Sequence, residues 1–449
     1  MALEEIRKAR LKKLENIRKA GVDPYPAESF RSHKISEALE NFDKLSGIGE
    51  KVTLAGRLMS LREHGGSTFG DLKDGSGKIQ LFFKKDIAGD KQYKFFLENF
   101  DIGDFIEAAG VLIRTKAGEP TLEVQSFRML TKTLLPLPEK WHGLQDVEER
   151  FRKRYLDLIF NEEVKSKFQL RFKIIEKIRQ YFLEQGCIEV ETPILQTIPG
   201  GALAKPFKTH LNTLDLELYL RVAPELFLKR LLVGGFESVF EIGRNFRNEG
   251  IDRDHNPEFT MLEAYFAYRD YNWLMEFTED LFVHLNENFS AYGGPAAGWK
   301  KPFKRIKFDE LVKEKDNLDE VFKKLIRPKI IEPTFVIDHP VELSPLAKKL
   351  GQNQNNVARF QLIAGGFELC NAFSELNDPL DQKERFEAQK ELKGDEVHPY
   401  DQEFLEALEY GMPPAAGIGI GLDRLVMFLT DSNNLREIIL FPTMKPKDD

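Results

Sequence analysis

The chain has 449 residues and a mass of 51.8 kDa, is 42% hydrophobic and 31% charged, and holds 36 Phe; that fills two or three ordinary cores and excludes disordered and low-complexity classes. Its two cysteines, Cys187 and Cys370, exclude a disulfide framework and a four-cysteine zinc site and suit a reducing compartment, while no run approaches the ~18 consecutive apolar residues of a membrane span. The net charge of −8 is uneven: residues 1–140 carry 24 Lys and Arg against 21 Asp and Glu, the remainder 41 against 52, so a mildly basic front, open to a polyanion or simply to scattered surface charge, precedes an acidic body.

The first twenty residues hold seven Lys or Arg and three Glu. Leu3, Ile6, Leu11, Leu14 and Ile17 recur at helical spacing, and Gly21, Pro24 and Pro26 end the helix. With no apolar h-region and with three Glu, this is neither a secretory signal nor a transit peptide. It reads as a docked terminal helix with a solvated basic face, or as a basic arm along a nucleic-acid backbone.

Residues 51–130 read as strands. Val52, Leu54 and Leu58 alternate with polar or small neighbours, and Ile79, Leu81 and Phe83 alternate after the turn Asp74-Gly75-Ser76-Gly77. With 67–73, 104–114 and 120–130, that makes five short strands, for which a small closed barrel of the OB type is the economical solution. Residues 134–150, with Pro136 and Pro138, read as a stiff linker. Beyond it, Ile174, Ile175, Ile178 and Phe182 share one helical stripe that Gly186 stops. The segments LYLRV, ESVFEIGRNF and FTMLEAYFAY between 218 and 268 read as strands without the helices that parallel pairing needs, which predicts an antiparallel sheet flanked by helices, an α+β domain.

No P-loop pattern is present. Gly417, Gly419 and Gly421 in GIGIGLDR mimic a dinucleotide loop, but too few residues follow for a second βαβ half; they fit instead a strand that passes close to a ligand before the helix LDRLVMFL. In RNFRNEGIDRDHNPEF, Arg247, Glu249, Arg253 and His255 cluster on a loop between apolar strands. Guanidinium groups pair bidentately with phosphate oxygens, His255 adds a donor and Phe259 can stack on a base. A solvated hairpin tip of mixed charge is the plainer reading, which Arg424, in an apolar context after GIGIGLD, weakens.

These segments resemble the class II aminoacyl-tRNA synthetases, and more narrowly the bacterial-type lysyl-tRNA synthetases. GCIEVETPIL with Pro193 resembles motif 1 (about 186–206), FRNEGIDRDHNPEF motif 2 (about 236–268) and GIGIGLDRLVMF motif 3 (about 415–429). RVAPELFLKRL, EFTMLEAY and ELCNAFSELNDPLDQ resemble segments of the lysine enzymes. The likeness implies a lead-in over 1–45, an anticodon-binding OB-fold over 46–133, the linker, and a catalytic domain over 151–446.

The resemblance also implies roles. Arg247 would grip the ATP α-phosphate, Arg424 the γ-phosphate and one face of adenine, and Phe259 the other face. His255 would lie near the β- and γ-phosphates, Glu249 near the adenosine, and Gly421 in the ATP site. Glu368 would hold Mg2+. Gly201 and Glu225 would bind the α-amino group of lysine, Asn371 and Phe373 would line its site, and Glu263, Tyr265 and Glu375 would meet its ε-ammonium. Arg62, Phe69, Gln80 and Glu119 would read a UUU-type anticodon, with barrel core as the plainer reading of Phe69. A cytoplasmic homodimer ligating L-lysine to tRNA(Lys) with ATP is implied, with neither zinc nor a membrane involved. The rivals are a relative that lysylates a protein such as elongation factor P, which lacks the barrel, and a non-catalytic RNA-binding paralogue. Two departures stand out. Gln361 occupies a position where the family has a second metal-binding Glu, and the insertion between motif 2 and FVIDHPVELSP is trimmed to about 300–332.

Overall fold

A computed structural model describes residues 3–138, 146–289, 299–313, 317–351, 355–391 and 400–447. The chain forms two compact units, 1–143 and 144–449.

In the first unit, strands β1 (Lys51–His64), β2 (Ser67–Lys73), β3 (Lys78–Lys84), β4 (Phe105–Arg114) and β5 (Pro120–Thr131) close a barrel in the order β1-β2-β3-β5-β4, antiparallel except for β3 with β5. The alternation predicted for β1 and β3 points Val52, Leu54, Leu58, Ile79, Leu81 and Phe83 into the barrel, where all are buried. Phe96, on the helix Asp90–Asn99, stacks on Phe83 at 4.1 Å and closes one end of the core. The terminal helix Leu3–Lys19 buries Leu14 and Ile17, while Leu3 stays exposed, so only the second half of its apolar stripe is docked. Part of its basic charge fastens it. Arg10 is buried and donates to the carbonyls of Ile102 at 2.9 Å and Leu135 at 3.0 Å, and Lys13 pairs with Asp101 at 2.8 Å.

The second unit is built on eight strands: β6 (Ile188–Glu189), β10 (Ser238–Phe246), β11 (Glu258–Ala267), β12 (Lys304–Lys307), β13 (Thr334–Ile337), β14 (Arg359–Ala364), β15 (Phe367–Ser374) and β16 (Ala415–Gly421), ordered β12-β13-β14-β15-β16-β11-β10-β6. The pairing is antiparallel except at the two edges, β6 with β10 and β12 with β13. One face packs on the helices Glu162–Glu184, Tyr271–Phe289 and Leu422–Leu429. There Ile174, Ile178 and Phe182 meet Phe240, Leu262, Phe266, Ile418 and Ile420, all buried. An α+β unit results, and the opposite face is left to line a cavity.

One expectation fails. Between 218 and 268 the series of strands is broken by the helix Glu225–Val233, and LYLRV, as β9 (Leu216–Leu220), leaves the main sheet to pair with β7 (Leu195–Gln196) and β8 (Lys208–Leu211). Pro224 opens this helix, and Glu225, Leu228, Lys229 and Leu232 fall at i, i+3, i+4 and i+7, all buried. Two of those inward positions are ionisable, so the apolar stripe was masked in the sequence.

Of the expected linker, residues 139–145 lie outside the described residues. Its last residues belong to the helix Val147–Arg152, which Asp146 caps by accepting from the N–H groups of Glu148 and Glu149. Between 300 and 332, where 314–316 lie outside the described residues, Phe308, Val312 and Phe322 form a small core with Val336 and Ile363.

Candidate functional site

Strand register fixes the floor of the cavity. Glu263 of β11 stands opposite Gly419 of β16, Gly419 opposite Asn371 of β15, and Asn371 opposite Gln361 of β14. One pleat away, Tyr265, Gly417, Phe373 and Arg359 make a second row. A side chain at either glycine would block the floor: a Cβ on Gly417 would lie 2.2 Å from Glu375 Oε1, and one on Gly419 2.4 Å from Met261 Cε. The glycines thus make room for neighbouring side chains as well as for a ligand. Gly201 is confined from above, with φ at +89° and a Cβ position 2.9 Å from that of Glu225. The cavity holds about 650 Å³.

Its two ends differ in sign. At one end Arg247 follows β10, with its guanidinium 5.0 Å from the centre of the Phe259 ring and no described hydrogen-bond acceptor for its Nε. Arg424, in the first turn of the helix Leu422–Leu429, donates to His255 Nε2 at 3.2 Å, and His255 Nδ1 faces Asp252 at 2.9 Å. This arrangement assigns the His255 proton to Nδ1. Glu249 lines the same end from an exposed loop, and Gly421 precedes the Arg424 helix. Two guanidiniums, a histidine and an aromatic face make a surface for a polyphosphate and a base.

The other end is acidic. Glu225 begins its helix and lines the cavity; Glu263 accepts from the Tyr265 hydroxyl at 3.0 Å. Burial, with the charge of Glu225 nearby, pushes Glu263 up from 4.5 to about 8. Glu375 lies just behind the wall rather than in the lining, and burial raises its carboxyl to about 8 as well, although Lys229 works against the rise. Lys229 Nζ stands 2.6 Å from Glu225 Oε1 and 2.5 Å from Glu375 Oε2. The second contact is an ion pair off the line of a hydrogen bond, and no described residue gives either Glu375 oxygen a well-directed one.

Glu368 lines the cavity with Arg327 at 3.8 Å, too far for a firm hydrogen bond, so among the described residues its oxygens have room for another partner. Gln361 is buried, and its Oε1 takes a hydrogen bond from His339 Nε2 at 3.2 Å. Among the described residues, no group of three His, Cys, Asp or Glu side chains could hold a metal. One free carboxylate and one engaged amide do not make a cage, but they suit a magnesium ion that arrives on phosphate oxygens.

Three residues of this region went unremarked in the sequence. Arg359 donates to Asn371 Oδ1 at 2.8 Å and to the Leu343 carbonyl at 2.7 Å, and so holds Asn371 in place. Arg327 closes in on Glu368, and Lys229 ties two acids together. The available signal for Arg359 and Lys229 was a charge inside an otherwise apolar run, ARFQLIA and ELFLKRLLV.

On the barrel, Arg62 of β1 stands opposite Phe69 of β2, and Phe69 stacks on Phe82 at 4.7 Å. Phe69 is half-buried on the outward face and outside the barrel core. Gln80 Oε1 accepts from Thr121 Oγ1 at 2.9 Å, and the same hydroxyl lies 3.1 Å from the carbonyl of Glu119. The four residues therefore share one side of the barrel wall, with an aromatic face, a guanidinium and an amide presented to solvent.

Comparison with known proteins matches both parts of the chain to known families. The family model of class II tRNA synthetases (D, K and N) matches residues 146–445, and that of the OB-fold nucleic acid binding domain matches 52–130. The lysine–tRNA ligase of Carboxydothermus hydrogenoformans is 47% identical over 486 aligned positions, which cover 99% of either chain. That of Thermoanaerobacter pseudethanolicus is 47% identical over all of this chain and 97% of its own, and that of Aquifex aeolicus 49% identical over 88% and 73%. The 486 aligned positions exceed the 449 residues here, so the relative carries stretches that this chain lacks.

Proposed function

This chain belongs to the class II tRNA synthetases of the D, K and N group, and within it we propose that it is a lysine–tRNA ligase, which joins L-lysine to tRNA(Lys) through a lysyl-adenylate and releases AMP and diphosphate. The observation that carries the choice of lysine is the buried acidic end of the cavity, where Glu225 and Glu263 line the wall and Glu375 stands behind it, three carboxyls against the one ammonium of Lys229, opposite a basic end suited to ATP. An aspartyl enzyme would need Lys or Arg facing the substrate there.

Activation is an attack of the amino acid's own carboxylate oxygen on the α-phosphorus, which expels diphosphate. No protein nucleophile is required, and the residues act by positioning and by charge. Arg247 neutralises the α-phosphate and the carboxylate that approaches it. Arg424 and His255 hold the outer phosphates, Phe259 and Arg424 sandwich the base, and Glu249 and Gly421 complete the nucleotide site. Gly201 and Glu225 seat the α-ammonium, Asn371 and Phe373 shape the channel, and Glu263, Tyr265 and Glu375 take the ε-ammonium. Glu368 would hold magnesium, with Gln361 a neutral oxygen beside it; when bound, the ion lowers the charge of the phosphates. The terminal ribose hydroxyl of tRNA(Lys) then attacks the activated carbonyl and AMP leaves.

Arg62, Phe69, Gln80 and Glu119 read the anticodon, where an exposed aromatic stacks on an unpaired base and the polar groups bond its edges. A second copy of the chain covers the motif 1 region, where Phe172, Leu183, Ile188, Ile194, Leu195, Leu214 and Leu216 are exposed beside the edge strand β6. Among the described residues no helix is long and apolar enough to cross a membrane. Lysine-dependent exchange of pyrophosphate into ATP, followed by lysylation of tRNA(Lys), tests the reading. Activity with lysine and not with aspartate or asparagine is expected, and exchange driven by either of those instead would overturn it.

A further inference from the structure

Lys229 belongs to none of the roles given above, yet it is fully buried and its ammonium is bracketed by Glu225 and Glu375, with the rings of Phe373 and Phe404 centred 5.3 and 6.0 Å away. A lysine withdrawn from water in this way is costly unless its charge is matched. On its own helix it meets Glu225; from the segment after β15, Glu375; and beyond these stand Glu263 and Tyr265 of β11. The next charges outward, Arg230 with Asp401 and Glu403, pair among themselves.

We propose that Lys229 is a positioning residue that sets the charge of the amino-acid pocket. Its ammonium cancels one of three carboxylate charges and anchors Glu225 and Glu375, so that the pocket carries −2 once all three acids are ionised around a substrate with two ammonium groups. This rests on the ligase reading and deepens it. With Glu225, Glu263 and Glu375 all ionised and no internal cation, three negative charges would face a substrate that brings two positive ones, and one carboxyl would keep a proton. With Lys229 in place the count closes, and Arg247 is left for the substrate's carboxylate. Burial works against the charge of Lys229, but Glu225 and Glu375 outweigh it and hold the ammonium protonated beyond its ordinary range. The same contact explains why Glu375, absent from the cavity lining, keeps one oxygen toward Gly417 and Tyr265, at the deep end of the channel.

The test uses the full-length protein as Lys229→Met, which keeps the volume, and as Lys229→Gln, which keeps a donor without the charge. Lysine-dependent pyrophosphate exchange is measured from pH 6.5 to 9 with lysine and ATP varied separately, beside melting temperatures at pH 6.5. Both variants are expected to raise the lysine KM by about 30-fold or more with the ATP KM within about twofold. Without the cation the carboxylates hold their protons more tightly, so the ascending limb of lysine kcat/KM should move up by about one pH unit. An unmoved limb, or equal losses on both substrates, overturns the proposal and leaves Lys229 a structural ion pair. Should Lys229→Met fail to fold, Lys229→Gln decides on the same readouts. Wild-type protein without lysine-dependent exchange would overturn the ligase reading, and this inference with it, a result distinct from an active wild type with indifferent variants.

Discussion

The cavity and the barrel face present the same kinds of side chain under opposite conditions. At the acidic end of the cavity Glu225, Glu263 and Glu375 are 7%, 4% and 1% exposed, and two of their carboxyls are pushed up to about 8. On the barrel Arg62 and Glu119 are exposed, and Phe69 and Gln80 are half-buried on a solvated wall. A small amino acid with two ammonium groups must be told from other amino acids by a few contacts, so each contact is made strong by removing water. A tRNA loop offers several bases and a charged backbone, and modest contacts can add up on an open surface.

The contrast is broken most sharply at Glu263. In Glu263→Gln the cavity keeps its shape and loses one buried charge partner of the ε-ammonium, a loss of roughly 2–4 kcal/mol. Lysine kcat/KM in pyrophosphate exchange should fall by about 30- to 1,000-fold while the ATP KM stays within about twofold. Parallel losses on both substrates would make Glu263 a structural residue. On the barrel the corresponding change is smaller and acts on a different step. Phe69→Ala should cost about 1–3 kcal/mol in tRNA(Lys) kcat/KM, the worth of one stacked base, with pyrophosphate exchange unchanged. A drop in melting temperature without a change in tRNA use would return Phe69 to a packing role alongside Phe82.

Legibility in the sequence follows the same division. The barrel could be read from alternation because one side of each strand meets the core and the other meets water, as at Ile79, Leu81 and Phe83. The helix Glu225–Val233 could not, because its buried face carries Glu225 and Lys229. The same burial that brings those charges together hides them from any pattern of apolar residues. Motif resemblance supplied Glu225 through the carboxylate it offers a ligand, but not Lys229, which is visible only once its helix lies against Glu375. Arg359 was missed for a like reason: it reaches Asn371 across two paired strands, a neighbourhood that register creates and local sequence does not.

Proton linkage sharpens the comparison further. Glu263 holds its proton up to about 8 in the free protein, whereas the ε-ammonium of lysine stays charged to about 10.4. Binding pairs the ionised carboxylate with the ammonium, so it releases a proton below pH 8. Glu375 is raised to about 8 as well, so lysine affinity should rise by about tenfold to a hundredfold per unit from pH 6.5 and level off above 8. For the free protein the sign is opposite. A carboxyl whose folded pKa is raised from 4.5 to about 8 contributes stability that is complete below 4.5 and lost as pH climbs through 8. Lysine should therefore raise the melting temperature more at pH 8 than at pH 6.5, and binding of tRNA(Lys) should not follow this limb. Equal protection at both values would show that Glu263 is already ionised in the free protein.

The smallest expected effect lies at Gln361, on the cavity lining beside the proposed magnesium position. Its amide oxygen is buried and engaged by His339 Nε2, and burial, with Arg359 adding to it, holds the His339 pKa well below its ordinary value, so the pair is neutral. A neutral oxygen can ligate magnesium but offsets less of its charge than a carboxylate does, and magnesium on ATP already draws most of its ligands from phosphate and water. In Gln361→Glu the half-saturating magnesium concentration for pyrophosphate exchange should fall only by about two- to fivefold, since Glu368 and the phosphates carry the ion in either protein. The variant also buries a carboxylate beside a neutral imidazole, which costs stability unless a cation arrives. Its melting temperature should consequently sit below that of the wild type without ligands and recover with ATP and magnesium together, but not with lysine alone. Identical magnesium titrations, with no recovery on adding ATP and magnesium, would mean that residue 361 serves only to hold His339 beneath the floor of the cavity.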